Sequence, residues 1–361
     1  MSKHRLTIDQ RRLTLSNLEK VFYPASGFTK GQMIDYYRRI APVILPHLSR
    51  RPVTLKRYPE GADGPFFYEK RCPSHRPDWV ATADVPTDED ESIAFCQIND
   101  EPSLVWVANL ASIELHTLLS LADRPDQPTM MVFDLDPGEP ASLLDSLRTG
   151  LLLRGMLAGM GLKSWPKTSG GKGLHVYVPL NTPVSFQRTK SFARAVAEVF
   201  ERQDPRHVVS RMRKDLRAGK VLIDWSQNDR HKTTVCPYSM RARARPTVST
   251  PLSWEEVEQA LKRQDIESIT FEAAAVLSRV NDLGDLFAPV LRVQQTLPDG
   301  RLEPQTAPDA GETLPPEEGK PADGPRLAGL ADAEDEGRAR PPGRGHRGRA
   351  TGIGHQRPTD R

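Results

Sequence analysis

The 361 residues carry 50 Lys and Arg against 47 Asp and Glu, so the net charge of +3 is a small difference between large numbers and identifies no polyanionic partner by itself. No apolar run is long enough to span a bilayer and no signal segment is present, which excludes a membrane-spanning role and makes the cytoplasm the expected setting. The cysteines Cys72, Cys96 and Cys236 are odd in number and far apart, a pattern that fits a reducing compartment better than a disulfide scaffold.

Bases cluster at Lys3, His4, Arg5, Arg11 and Arg12, and residues 1–12 read as a basic arm ahead of a domain over 13–296. Asn17 and Lys20 precede a Tyr-Pro stop, and Thr29-Lys30-Gly31-Gln32 reads as the capped start of a helix that Pro42 kinks or ends. Free N–H groups at a helix start favour anions, so Lys30 with Lys20 before it offers a phosphate site; two lysines alone read first as solvated surface. Residues 51–58 and 65–69 read as strands. On a strand Phe66 and Phe67 face opposite ways, one filling the core and the other free to stack on a base, with both buried between two layers as the alternative. Residues 80–85 and 92–98, joined by an acidic turn, read as a hairpin. Cys72-Pro-Ser-His75 has a spacing that a metal could use, but no second ligand pair follows and the stretch is read as structural. Residues 103–121 have helical spacing, with His116 near the end, where most histidines have no task.

Residues 130–138 form an apolar run that delivers two carboxylates and then a turn. Positions i and i+2 of a strand share a face, so Asp134 and Asp136 project together with Cα atoms about 6.6 Å apart. At about 4 Å two such charges repel by roughly 4 kcal/mol at an effective dielectric near 20, a cost that a divalent metal removes. Two acids facing solvent at a strand end are the alternative. An amphipathic helix over 141–160 ends at Gly161, and a strand over 162–168 leads into Ser169-Gly-Gly-Lys172-Gly173-Leu-His175. Glycines let backbone N–H groups approach phosphate, and Lys172 adds charge. The loop is not a Walker A motif, because Gly173 stands where Ser or Thr would be needed and a strand follows instead of a helix. On that strand His175 and Tyr177 share a polar face.

A helix over 186–200 and a short strand at 208–210 precede residues 220–225, where an apolar strand again delivers a carboxylate, Asp224. A third acid in that setting completes the donors of a two-metal site. Arg241 follows, able to clamp a triphosphate bidentately, and helices over 254–263 and 271–277 close the domain. Strands alternating with helices around a mixed sheet make an α/β, or mixed α+β, domain. No aromatic residue follows Phe287, and residues 297–361 read as a disordered tail that is merely solvating or touches nucleic acid by charge.

Three motifs in order, Phe-Asp134-Leu-Asp136-Pro, Thr-Ser169-Gly-Gly-Lys172-Gly-Leu-His175 and Ile-Asp224-Trp-Ser-Gln-Asn, resemble the polymerase domain of bacterial ligase D, a member of the archaeo-eukaryotic primase superfamily. The resemblance runs from about Leu13 to about Phe287. It implies a nucleotidyltransferase that extends primers or fills gaps at DNA ends bearing a 5′-phosphate, working with Ku and a DNA ligase at the bacterial nucleoid. It further implies that Asp134, Asp136 and Asp224 bind two Mn²⁺ or Mg²⁺ ions, with manganese and ribonucleotides preferred. Ser169, Lys172, His175 and Arg241 would hold the nucleoside triphosphate, with Lys56 and His116 lining the site. Asn17, Lys20 and Lys30 match residues gripping the 5′-phosphate, and Phe66-Phe67 an aromatic pair against the template. The ligase signature Lys-x-Asp-Gly is absent, so a free-standing polymerase is expected. An Asp-x-Asp glycosyltransferase and a non-catalytic DNA-end adaptor are the rival readings; Asp224 and the 169–175 loop argue against the first, intact acids on two strands against the second.

Overall fold

The computed structural model describes residues 3–86 and 91–299. The acidic turn at 87–90 and the tail from residue 300 onward lie outside the described residues. Strands β1 (Lys3–Ile8) and β2 (Arg11–Ser16) pair as a hairpin, so the basic stretch at the N-terminus contributes a strand. β3 (Val21–Tyr23) and β4 (Phe28–Thr29) lead into α1 (Lys30–Leu48), where Thr29 and Gln32 form a reciprocal capping box. α1 runs through Pro42 and Pro46. Its buried face carries Met33, Tyr36, Tyr37, Ile40 and Ile44, and roughly 1.5–3 kcal/mol from burying each large apolar side chain offsets the roughly 3 kcal/mol cost of an internal proline.

The first sheet is built on β5 (Val53–Arg57). β6 (Phe67–Glu69) and β8 (Ser92–Cys96) flank one side of β5, β7 (Thr82–Pro86) pairs with β8, and β9 (Ser112–Thr117) flanks the other side. The helix expected over 103–121 is only α2 (Glu101–Asn109), capped by Asp100. At Ala111 the backbone turns left-handed (φ 65°) and β9 begins, so His116 stands on a strand. The alternation of Ser112, Glu114 and His116 with Ile113 and Leu115 is a period of two, which the apolar spacing of the preceding helix had obscured. A second difference concerns the thiols. Cys72 and Cys96 are joined as a disulfide, because the Cys72 N–H donates to the Ala94 carbonyl (2.7 Å) and lays its loop along β8; Cys236 is free and buried.

β10 (Ser120–Leu121) and β11 (Arg124–Pro128) form a small hairpin where a loop was expected. The second sheet then follows: β12 (Met130–Pro137), α3 (Leu143–Gly159), β13 (Trp165–Thr168), β14 (Leu174–Pro179), α4 (Phe186–Gln203), β15 (Val208–Val209) and β16 (Val221–Asp224). Its order is β13-β14-β12-β16-β15, antiparallel except for the parallel β15–β16 pair. β17 (Thr234–Val235) returns to the edge of the first sheet beside β9, and α5 (Trp254–Arg263) and α6 (Ala273–Leu283) complete the mixed α/β fold.

Each sheet buries one face under helices. Phe133, Leu135, Leu174, Val176 and Ile223 pack with α3, α4 and α5, and Val53, Leu55, Ile113 and Leu115 with α1, α2 and α6. The opposite faces carry Thr54 and His116 on one sheet and Asp134, Asp136 and His175 on the other, and these line one cleft. Met130, Val132 and Tyr177, on the same face as the acids, form a separate apolar cluster with Leu119, Phe287 and Val290.

Candidate active site

Strand register sets four polar side chains in one row across the second sheet. Lys167 lies opposite His175, His175 opposite Asp134, and Asp134 opposite Asp224. Opposed residues in antiparallel strands are about 4.5–5.5 Å apart at Cα, and Asp136 stands two positions along β12 on the same face. His175 Nε2 is 3.3 Å from Asp134 Oδ1. Lys167, fully buried, donates to Ser249 Oγ (2.6 Å) and stands 3.1 Å from His175 Nδ1. Burial, and then the Arg241 charge, push the Lys167 amine down to about 7. Burial also holds His175 and His116 below the ordinary imidazole value. Asp134 and Asp136 move apart: burial acts upward on both, but His175 followed by Lys167 holds Asp134 down, whereas the Asp134 charge adds to the rise at Asp136. Asp224 Oδ1 accepts from Ser226 N (2.9 Å) and Oγ (2.6 Å), and Oδ2 from Gln227 Nε2 (2.9 Å). Among the described residues, no three or more His, Cys, Asp or Glu are grouped as a ready metal cage.

The glycine loop is held against these acids. A Cβ at Gly173 would sit 2.5 Å from the Leu135 carbonyl oxygen, and Gly170 takes φ 70° with the Val248 carbonyl carbon 2.8 Å from its would-be Cβ. The N–H groups of Gly171 and Gly173, expected to face phosphate, donate instead to Ser169 Oγ (3.2 and 3.1 Å). Arg241 Nη1 donates to the Ser169 carbonyl (2.6 Å), and Lys172 is exposed and paired with Glu139. The cleft, of about 500 Å³, joins Asp134, Asp136, Ser169, Lys172, His175 and Arg241 with His116 from the first sheet. Lys56 stands outside that lining, 3.4 Å from Glu114 Oε1 and 4.2 Å above the Phe66 ring.

Residues 29–287 match the family model described as LigD, primase-polymerase domain. Among curated relatives, the multifunctional non-homologous end joining protein LigD of Mycolicibacterium smegmatis is 40% identical over 293 residues, covering 80% of this chain and 38% of that protein. The bifunctional non-homologous end joining protein LigD of Bacillus subtilis is 29% identical over 288 residues, covering 80% and 45%. The polymerase domain of Mycobacterium tuberculosis ligase D, solved in complex with DNA, superposes with a TM-score of 0.72 at 37% identity, over 80% of this chain and all of that one. The chain belongs to the LigD primase-polymerase family. It spans less than half the length of these curated relatives.

Two buried residues that contact the lining of this cleft escaped the sequence analysis. Lys167 is on the strand before the glycine motif, and its signal was a register that places it across from His175. Glu114 lies on β9 with the polar face that the helix assignment hid, and it faces Lys56, His116 and Arg241. Elsewhere, Asn17 adopts a left-handed φ of 56°, and Lys20 is paired with Glu60 (2.7 Å). Lys30 is buried, its Nζ donating to the Ser16 carbonyl (2.8 Å) and Asn109 Oδ1 (2.9 Å); burial, then Lys20, lowers it to about 8. The N–H groups of Lys30, Gly31 and Gln32 are spent on Lys20 O, Leu18 O and Thr29 Oγ1, so the free N–H groups expected there are not available to an anion. Phe66 and Phe67 are 51% and 43% exposed, so neither fills the core; they rest on the cations Lys56 and Arg57. No helix among the described residues is long and apolar enough to cross a membrane.

Proposed function

We propose that this protein is a DNA-end polymerase, a nucleotidyltransferase that adds nucleotides to a primer 3′-hydroxyl at ends or gaps in non-homologous end joining. The observation that carries the reading is that Asp134 and Asp136 line a cleft of nucleotide size with the glycine loop and Arg241, while Asp224, outside that lining, stands opposite Asp134 on the neighbouring strand. Among the described residues none of these three acids is paired with Lys or Arg, and burial, followed by the like charges of Asp134 and Asp224, raises Asp136, a setting that suits a divalent cation. Hard carboxylate donors fit Mn²⁺ or Mg²⁺, with Asp134, Asp136 and Asp224 as holders of two ions; the preference for manganese and for ribonucleotides rests on the resemblance alone. Bound there, the ions would supply activation of the attacking hydroxyl and neutralisation of the leaving pyrophosphate.

The chain's own residues bind and orient. Arg241 and a Lys172 swung away from Glu139 take the β- and γ-phosphates, Ser169 and His175 hold the phosphate nearest the acids, and His116 and Lys56 flank the nucleoside. The α-phosphate is thereby presented in line to the 3′-hydroxyl, and pyrophosphate leaves on the Lys172 side. Asn17, Lys20 and Lys30 receive the 5′-phosphate across the gap, and Phe66 and Phe67 pack on the template. The partners in this reading are DNA ends, Ku and a DNA ligase activity, in the cytoplasm at the nucleoid. The test is extension of a primed, gapped duplex with Mn²⁺, offering ribo- and deoxyribonucleotides separately. Asp134→Asn, Asp136→Asn and Asp224→Asn should each abolish extension and leave DNA binding largely intact; robust extension by any of them overturns the assignment.

A further inference from the structure

Thr54 has no place in the chemistry above, yet it lines the cleft. It stands on β5 between Val53 and Leu55, which pack into the core, so alternation along the strand turns its side chain to the cleft face. Across the ladder it lies opposite His116, and the His116 ring meets the ring of Tyr68, another lining residue, edge-on at 6.1 Å. Among the described residues lining the cleft, two hydroxyls are buried, on Thr54 and Thr234. Thr234 Oγ1 is paired with Tyr177 OH at 2.9 Å. Thr54 is 1% exposed, and its Oγ1 has no hydrogen-bond partner. A buried hydroxyl without a partner is costly, and with the core behind the strand the side left for a partner is the cleft.

We infer that Thr54 is a specificity-determining residue whose hydroxyl pairs with a sugar hydroxyl of the incoming nucleoside triphosphate, an inference that rests on the polymerase reading above. With Ser169, Lys172, His175 and Arg241 assigned to the phosphates, the wall formed by Thr54, His116 and Tyr68 is left for the sugar and the base. A polymerase that copies a template accepts four different bases, and one fixed hydroxyl against the base edge would favour some of them over others. The sugar is common to all four, so a fixed hydroxyl serves there without biasing the copy. Thr54 and a sugar hydroxyl can each donate and accept, and the pairing therefore presupposes no direction for either proton. A nucleotide that lacks the hydroxyl leaves Thr54 stranded in the filled cleft, and a site built to bind a hydroxyl rejects the analogue without it far better than shape alone could.

The test starts without primer. The full chain, with Mn²⁺ present, is titrated with adenosine triphosphate, its 2′-deoxy form and its 3′-deoxy form. The wild type should bind one of the deoxy forms roughly tenfold to a hundredfold more weakly than the ribonucleotide, the range for stranding a buried hydroxyl, and the form rejected tells which sugar hydroxyl is held. Thr54→Val keeps the shape and removes the hydroxyl; it should bind the ribonucleotide as weakly as the rejected deoxy form, so that the preference disappears. Thr54→Ser retains a hydroxyl and should retain the preference. A wild type that binds all three equally, or none, overturns the inference without recourse to any variant. So does a preference that survives in Thr54→Val, and so does an equal loss on all three nucleotides, which would place the contact away from the sugar. Primer extension is the separate arm: a wild type that shows the binding preference but extends no primer rejects the polymerase reading and leaves the sugar contact standing.

Discussion

Glu114 is the carboxylate on which Lys56, His116 and Arg241 converge. It is buried, with Oε1 accepting from Tyr58 OH (3.0 Å) and Ala242 N (3.2 Å), and Oε2 facing His116 Nε2 (3.0 Å). Arg241 Nε lies 3.2 Å from Oε2, but at an angle that makes it an ion pair without a hydrogen bond. Burial acts to raise this carboxyl, yet His116, Arg241 and Lys56 together hold it well below the usual range. Glu114→Gln keeps the shape and strands the cations, and breaking a buried pair in this way costs about 3–5 kcal/mol. Urea unfolding should show that loss, and saturation with nucleotide should show a raised KM, since Arg241 loses its anchor. The pH dependence follows from the depressed value. Stabilisation by Glu114 is complete above the unfolded glutamate value of about 4.3 and is lost as pH falls below it, so the variant's stability should decline less steeply toward acid than that of the wild type. Parallel acid limbs would mean that Glu114 contributes nothing through its charge.

Among the elements, β12 governs the site, and two neighbours set the position of its end. Asn228, fully buried, accepts from Val132 N (2.9 Å) and donates to Val132 O (2.7 Å), so a side chain continues the ladder that β16 leaves at Asp224. Asn228→Ala leaves both Val132 groups without partners, at about 1–3 kcal/mol for each buried unsatisfied group. The expected outcome is a lower urea midpoint together with faster hydrogen exchange at the Val132 amide; exchange as slow as in the wild type would mean that water replaces the amide at no cost. On the other side, Gly173 brings the loop against the Leu135 carbonyl. Gly173→Ala should push the loop and β12 apart, costing about 1–3 kcal/mol as other overpacking changes do. Primer extension should fall even where the protein stays folded at assay temperature, because Leu135 lies between Asp134 and Asp136.

For the molecule as a whole, a polymerase working at gaps would use a second anion site near the start of α1 together with the cleft. Lys20 is held by Glu60, whereas buried Lys30 has only neutral oxygens, so Lys30 is the free positive charge of that pair. Lowered to about 8, it is protonated below that pH and neutral above. Binding of gapped DNA should therefore distinguish a 5′-phosphate from a 5′-hydroxyl near pH 7, and the distinction should fade toward pH 9. The bound phosphate itself draws the transition upward. Lys20→Ala with Lys30→Ala should erase the distinction and flatten the salt dependence, leaving the remaining basic surface to bind. Titrations at both pH values and two salt concentrations check this; equal affinity of the wild type for both ends at pH 7 would reduce these lysines to structural anchors.

The sequence by itself determined the parts whose signals are local. The apolar run that ends in Asp134 and Asp136, the Ser169–His175 motif and the strand carrying Asp224 were legible because alternation on a strand and glycine in a tight turn depend on near neighbours. So were the start of α1 at Thr29, the hairpin of β7 and β8, and the mixed α/β class. What only the tertiary structure decided is which strand lies beside which. Register across the second sheet put Lys167 and His175 in line with Asp134 and Asp224, and a return of the chain near Ala111 turned an expected helix into the strand that buries Glu114. The Cys72–Cys96 bond, the exposure of both Phe66 and Phe67, and the capture of the Gly171 and Gly173 N–H groups by Ser169 belong to the same class. Each is a contact whose energy comes from a partner brought close by the fold, and a one-dimensional pattern carries no term for that distance.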